Sequence, residues 1–204
     1  MPRVKPQRYI AWAVNSTEFS TFGFEQIYHT SRKLDQLQFT MKTVYLVRHA
    51  KSSWDHPDLR DSERPLNERG LRDAPFMAKL LKSKGVKPDA IITSPAVRAL
   101  TTATFFKIEL GLEGEDLLIR DEIYESMPMT ITDMIKLLPE DYNTVLIFGH
   151  NPTFTSVANR FSEDYISNIP TCGIVGIQAP VSHWQDFNEK NAKVTEYYYP
   201  KQYF

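Results

Sequence analysis

Cysteine is almost missing from this chain: Cys172 is the only one in 204 residues. A lone thiol excludes an intrachain disulfide and a cysteine-built zinc site, and it fits a reducing compartment. An excess of either charge is missing too. Lys and Arg total 24 against 25 Asp and Glu, a net charge of −1, with no basic block and no acidic tail. That balance argues against nucleic-acid or membrane-surface partners. No apolar run approaches the ~20 residues of a membrane span. Arg3, Lys5 and Arg8 precede an apolar stretch, but Tyr9 to Val14 is too short and interrupted for a signal-peptide core. The expectation is a cytoplasmic protein. Internal repeats, low-complexity tracts and an HExxH pattern are also absent. What remains is an ordinary globular composition, 42% hydrophobic. That is enough for a sizeable core and, at this length, for one domain with or without an appendage.

Residues 1–40 differ from the rest. Their aromatics (Tyr9, Trp12, Phe19, Phe22, Phe24, Tyr28) follow neither a strand nor a helix period. Met41 stands immediately before the first strong strand, so two readings stay open. Met41 is the native start and 1–40 derives from an upstream codon, or 1–40 is a real extension. Either way the expected organisation is a peripheral segment 1–40 ahead of a domain 41–204.

The domain is organised around Thr43 to Asp55. Val44, Tyr45, Leu46 and Val47 form a continuous apolar run, as in a strand covered on both faces. It stops abruptly on Arg48 and His49. After a polar loop, Asn67 is a plausible N-cap with Glu68 in the first turn. Leu71, Ala74, Ala78 and Leu81 give a helical stripe ending near Gly85, in which Pro75 should mark a kink or the true start. Ala90 to Ile92 reads as a buried strand. Ser94 and Pro95 then suggest an N-cap and first helical position, which puts Arg98 near the positive end of the helix dipole. Leu117 to Ile119 is a short strand, and Ile131, Met134, Ile135 and Leu138 make an amphipathic helix. Thr144 to Phe148 is another apolar strand, ending on Gly149-His150-Asn151-Pro152, where Asn151 and Pro152 repeat the cap pattern. Phe154, Val157, Ala158 and Phe161 face the core from the next helix. Two final strands cover Gly173 to Gln178 and Val194 to Tyr199. Strands alternating with helices imply an α/β fold, a mostly parallel central sheet with helices on both faces.

Arg48, His49, Arg98 and His150 thus share one address, the switch from strand to helix, where open α/β sheets bind ligands. Two guanidiniums and two imidazoles suit a tetrahedral oxyanion, and a histidine can attack phosphorus. His49 and His150 as zinc ligands would lie beside two repelling arginines. His29, His56 and His183 read as structural or exposed.

V-R-H-A, then S-P-A-V-R-A-L-T-T-A, then F-G-H-N-P, in that order, resembles the histidine phosphatase superfamily with its phosphoglycerate-mutase-like three-layer fold. The phrase R-H-A-K-S-S-W-D, the lack of a long insertion and the ending Tyr199-Pro200-Lys201 resemble its small phosphohistidine phosphatase branch. The resemblance spans Met41 to about the C-terminus. It implies that 41–204 is the catalytic domain, that His49 is the nucleophile, and that Arg48, Arg98 and His150 bind the phosphoryl oxygens. Asp55 falls where the family often has a polar pocket residue, with Ser53 and Asn151 as weaker candidates. The general acid is expected at Glu125, with Glu122 second, Asp55 a distant third, and none at all as in some members of the branch. The chain departs from the family's commoner first motif in carrying Ala50 in place of glycine. No metal and no cofactor is implied. The implied substrate is a phosphorylated protein, as phosphohistidine, or a small phosphorylated metabolite. A mutase is the enzymatic rival, weakened by the lack of a dedicated lid segment. A phosphate-binding module without catalysis is the other, and a pure binder needs no nucleophile.

Overall fold

Alternation along the strands decides the architecture. In β1, Met41–Arg48, every residue from Lys42 to Val47 is buried. Successive strand side chains point to opposite faces, so a strand with no polar face must be covered on both. Val44 and Leu46 join one core, while Tyr45 and Val47 join the other. The computed structural model describes residues 41–114 and 117–204, and the expectation for residues 1–40 falls outside them. Helix α1, Glu68–Ser83, precedes β2, Ala90–Thr93, and α2, Val97–Leu110, precedes β3, Leu117–Ile119. Helix α3, Pro128–Lys136, then β4, Thr144–Gly149, and α4, Thr153–Phe161, complete the alternating part. Strands β5, Ile174–Pro180, and β6, Lys193–Tyr198, close the chain.

The six strands form one sheet in the order β3-β2-β4-β1-β5-β6. The first four strands of the chain run parallel, and β5 and β6 add antiparallel. Ala74, Met77, Ala78 and Leu81 of α1 and Ala103 and Phe106 of α2 pack on one face. Ile131 and Ile135 of α3, with Phe154, Val157, Ala158 and Phe161 of α4, pack on the other beside Trp184. The mostly parallel, three-layer α/β reading therefore holds.

Three local expectations shift. Helix α1 runs through Pro75 without stopping. The carbonyl that loses its partner there is that of Leu71, which is 49% exposed and so open to water. Leu71 is accordingly not part of the buried stripe; Met77 is. The Asn67 cap stands, its side chain accepting from Gly70 N–H at 3.0 Å. Helix α2 begins at Val97, not at Pro95, because Ser94 is engaged elsewhere and Ala96 is still extended, at φ −57° and ψ 130°. Helix α4 likewise starts at Thr153, with the Asn151 side chain turned to Asn168 and Ile169 instead of capping it.

Candidate active site

The strand register builds the site. Arg48 pairs with Gly149 across β1 and β4. The next residues, His49 and His150, therefore leave adjacent strands at the same level, with ring centroids 5.1 Å apart. On the other side of β4, Thr93 pairs with Phe148, which brings Ser94 beside His150. Its hydroxyl lies 2.9 Å from His150 Nε2. Gly149 is required here by its neighbours: a Cβ would sit 2.5 Å from Phe154 Cζ and 2.9 Å from Ile123 Cγ2.

Hydrogen bonds fix both imidazoles. His49 Nδ1 is 2.7 Å from the Ala50 carbonyl, which can only accept. Nδ1 therefore carries the proton, and Nε2 keeps its lone pair. For His150, Ser94 Oγ accepts from Ala96 N–H at 3.3 Å and has its own proton to give. Donation from Ser94 to Nε2 leaves the fewest groups unmatched and makes Nδ1 an N–H donor. His150 Nδ1 is buried and has no partner among the described residues, and the same holds for Arg48 Nε. The other end of Arg48 is anchored, Nη1 donating to the Ile169 carbonyl at 2.7 Å. Two buried polar N–H groups without acceptors are unusual in a folded protein and point to a ligand that accepts from both.

Burial foremost holds the His49 imidazole down to about 3. The bond to Ala50 opposes this, and the charges of His150, Arg98 and Arg48 add to it. Burial also lowers His150, to about 4, with Arg98 adding to the effect and Asp61 opposing it. Burial lowers Arg48. Both imidazoles are thus neutral at ordinary pH.

Arg98, in the first turn of α2 and 6% exposed, donates through Nη2 to Asp61 Oδ2 at 2.8 Å and through Nη1 to the Asp61 carbonyl. Arg64 Nη1 reaches Asp61 Oδ1 at 2.8 Å, and Tyr124 Oη reaches Oδ2 at 2.9 Å. Burial alone would raise the Asp61 carboxyl, but these donors hold it down to about 2. The Tyr124 ring meets His150 edge-on, with centroids 5.6 Å apart. Asp61, Arg98, Tyr124, Glu125, Met127 and His150 are among the walls of a cavity of about 550 Å³. Among the described residues, no group of three or more His, Cys, Asp or Glu side chains is placed to hold a metal ion. The cations beside the imidazoles are the arginines.

Arg48, His49, Arg98 and His150 are brought together, and Glu125 lines the cavity with a left-handed backbone, φ 54°. Glu122 lines a separate cavity with Arg120 and Asp133. Asp55 is a correction: its carboxylate accepts from Ser53 Oγ at 2.7 Å, and it lines a different hollow with His56 and Asp58. The short Ser53–Asp55 turn bends it away. Ser53 is spent on that turn, while Asn151 does line the candidate cavity. His56 lies in that other hollow, His183 lies 3.5 Å from Glu140, and His29 is outside the described residues. The acidic wall residue that sequence reasoning missed is Asp61. Its spacing to Arg64 hints at a local pair, but nothing in the sequence ties it to Arg98. Tyr124 and Ser94 were likewise visible only as a neighbour of Glu125 and as a cap.

Comparison with known proteins identifies the family. An uncharacterized protein of Mycobacterium tuberculosis is 30% identical over 172 residues, covering 76% of this chain and all (100%) of that protein. An Agrobacterium tumefaciens structure assigned as the phosphohistidine phosphatase SixA superposes with a TM-score of 0.66 at 28% identity. It covers 78% of this chain and 98% of its own. A 2,3-bisphosphoglycerate-dependent phosphoglycerate mutase of Xanthobacter autotrophicus is 36% identical over 77 residues, 36% of each chain. The family model that matches residues 44–145 spans the stretch from the strand before His49 to the strand before His150. With its nucleophile-like imidazole, its partnered arginine and its relatives in accord, this chain belongs to the histidine phosphatase superfamily (branch 1).

Proposed function

We propose that this protein is a metal-independent phosphatase that works through a phosphohistidine at His49. The observation that carries the reading is a pair of buried nitrogens, Arg48 Nε and His150 Nδ1, without partners among the described residues. They lie beside an imidazole whose Nδ1 is held by the Ala50 carbonyl and whose Nε2 keeps its lone pair. In this reading His49 Nε2 attacks phosphorus and the bond to the leaving group breaks. Arg48, Arg98 and His150 take the equatorial oxygens, where charge stabilisation matters most. Glu125 gives its proton to the leaving group. Water, deprotonated by Glu125, then attacks the phosphohistidine, releasing phosphate and restoring His49. The arginines supply the positive charge that a metal supplies elsewhere. The substrate class is protein phosphohistidine or a small phosphorylated metabolite. The likeness to a protein assigned as SixA supports the former. A cytoplasmic setting suits the single buried thiol, Cys172.

The test is mass spectrometry of the protein after brief exposure to an aryl phosphate in EDTA, quenched without acid, beside His49→Ala. A phosphoryl adduct on His49 that the variant lacks is the expected result. No adduct and no turnover would favour a phosphate-binding module. A bisphosphorylated product from a monophosphorylated acceptor would favour a mutase.

A further inference from the structure

Asp61 belongs to no motif, yet its carboxylate is where three separate parts of the site meet. Oδ1 takes Arg64 Nη1 from its own loop. Oδ2 takes Arg98 Nη2 from α2, and also Tyr124 Oη from the segment that leads to Glu125. The Asp61 carbonyl takes the remaining Arg98 terminal nitrogen. Two bonds to different nitrogens of one guanidinium fix its plane as well as its position.

The anchor itself is held. Arg64 Nε donates to the Ser53 carbonyl at 3.0 Å and Nη2 to Ser52 Oγ at 2.7 Å, and its guanidinium lies 3.2 Å from the Trp54 ring centroid. The loop that carries Asp61 is further tied by Ser53 N–H to the Pro65 carbonyl and Asn67 N–H to the Lys51 carbonyl, at 2.8 and 3.0 Å. Asp61 is therefore a rigid acceptor and Arg98 a guest upon it.

Resting on the phosphatase reading above, we infer that Asp61 is a positioning residue: it presets the Arg98 guanidinium and the Tyr124 hydroxyl before substrate arrives. Two of Arg98's five N–H bonds are committed to Asp61, and the others stay available to an oxyanion. Fixing these donors in advance removes reorganisation from the transition state, where their orientation counts most. The same carboxylate is an anion close to an anion-binding site, so it weakens ground-state phosphate binding through repulsion. Both effects favour turnover over tight binding.

Asp61→Asn removes the charge and mismatches its amide N–H₂ with the arginines at nearly constant shape. Its rate of His49 phosphorylation by an aryl phosphate should fall 10- to 100-fold, while inorganic phosphate binds as tightly as to wild type or several-fold tighter. A merely structural role would not split the two, and loss of phosphate affinity in step with the rate would overturn the inference. An equal rate in Asp61→Asn and wild type would sink the inference alone, whereas a wild type that forms no phosphoenzyme would sink the phosphatase reading with it. If Asp61→Asn does not fold, Asp61→Glu carries the test. It keeps the charge, moves the carboxylate by one methylene, and should show the same drop in rate.

Discussion

In the phosphatase reading, His49 illustrates how one backbone carbonyl would set up a nucleophile. The Ala50 carbonyl claims the Nδ1 proton, and burial with neighbouring cations keeps a second proton off the ring. Its folded value of about 3 and that of His150 of about 4 lie well below the ordinary 6.5. The acid limb of kcat/KM should therefore appear at about pH 4 and below, and a pH–rate profile with its acid limb near 6.5 would refute this. Stability should follow the same sign. In the window between the folded values and 6.5 the unfolded chain binds more protons than the folded one, so stability rises with pH. It is complete above 6.5 and is lost as the pH falls towards 4 and then 3, which thermal melts across that range would register. Glu125 is the other residue to vary. As general acid it should matter most for poor leaving groups. Glu125→Gln should lose about 10²–10⁴-fold in the rate of His49 phosphorylation by an alkyl phosphate and much less in that by a phosphoimidazole, the later hydrolysis of the phosphohistidine being common to both. Equal losses on both would remove it from that role.

At the scale of elements, the site depends on strand ends and the turns that leave them. β1 and β4 reach the site in register, so the two imidazoles lie side by side. The tight fit behind Gly149 keeps them so. Phe154 and Ile123, which an added Cβ would strike, are fully buried and have no room to retreat. Gly149→Ala should cost about 1–3 kcal/mol of stability through overpacking, read as a lower urea midpoint. It should also lower kcat, because the end of β4 carries His150. Unchanged kcat in that variant would mean that the β4 end absorbs the methyl group without moving the ring. The Glu125 turn stores strain of its own, φ 54°: a left-handed glutamate costs about 1–3 kcal/mol, and such residues cluster at functional sites.

At the scale of the whole molecule, the candidate site and both cores of the described residues are built from the unit between Met41 and Phe204. A chain begun at Met41, the first residue of β1, should fold cooperatively and hydrolyse an aryl phosphate within about twofold of the full-length rate, since this unit carries two hydrophobic cores and the candidate site among its described residues. A large loss of solubility or turnover would show that residues 1–40 contribute to the catalytic unit. The three-layer arrangement also explains why chemistry gathers at one edge. β2, β4 and β1 are neighbours in the sheet and point the same way, so the turns that leave their carboxyl ends must converge.

The sequence by itself determined the α/β class, the apolar strands and the positions of Arg48, His49, Arg98 and His150. Runs of buried residue types and a polar residue that ends such a run are local signals, readable one strand at a time. The antiparallel pairing of β5 and β6 and the passage of α1 through Pro75 needed the folded chain. Both depend on what lies across space: a free sheet edge beside β1 and water over Leu71. The turn of Asp55 onto Ser53 is local, two residues apart, but only the structure shows which hollow it then faces. Asp61 makes the point most sharply. Its charge is plain in the sequence, but its value as an acceptor for Arg98, 37 residues away, and for Tyr124, 63 residues away, exists only once β2 and the segment after β3 bring those donors to one loop.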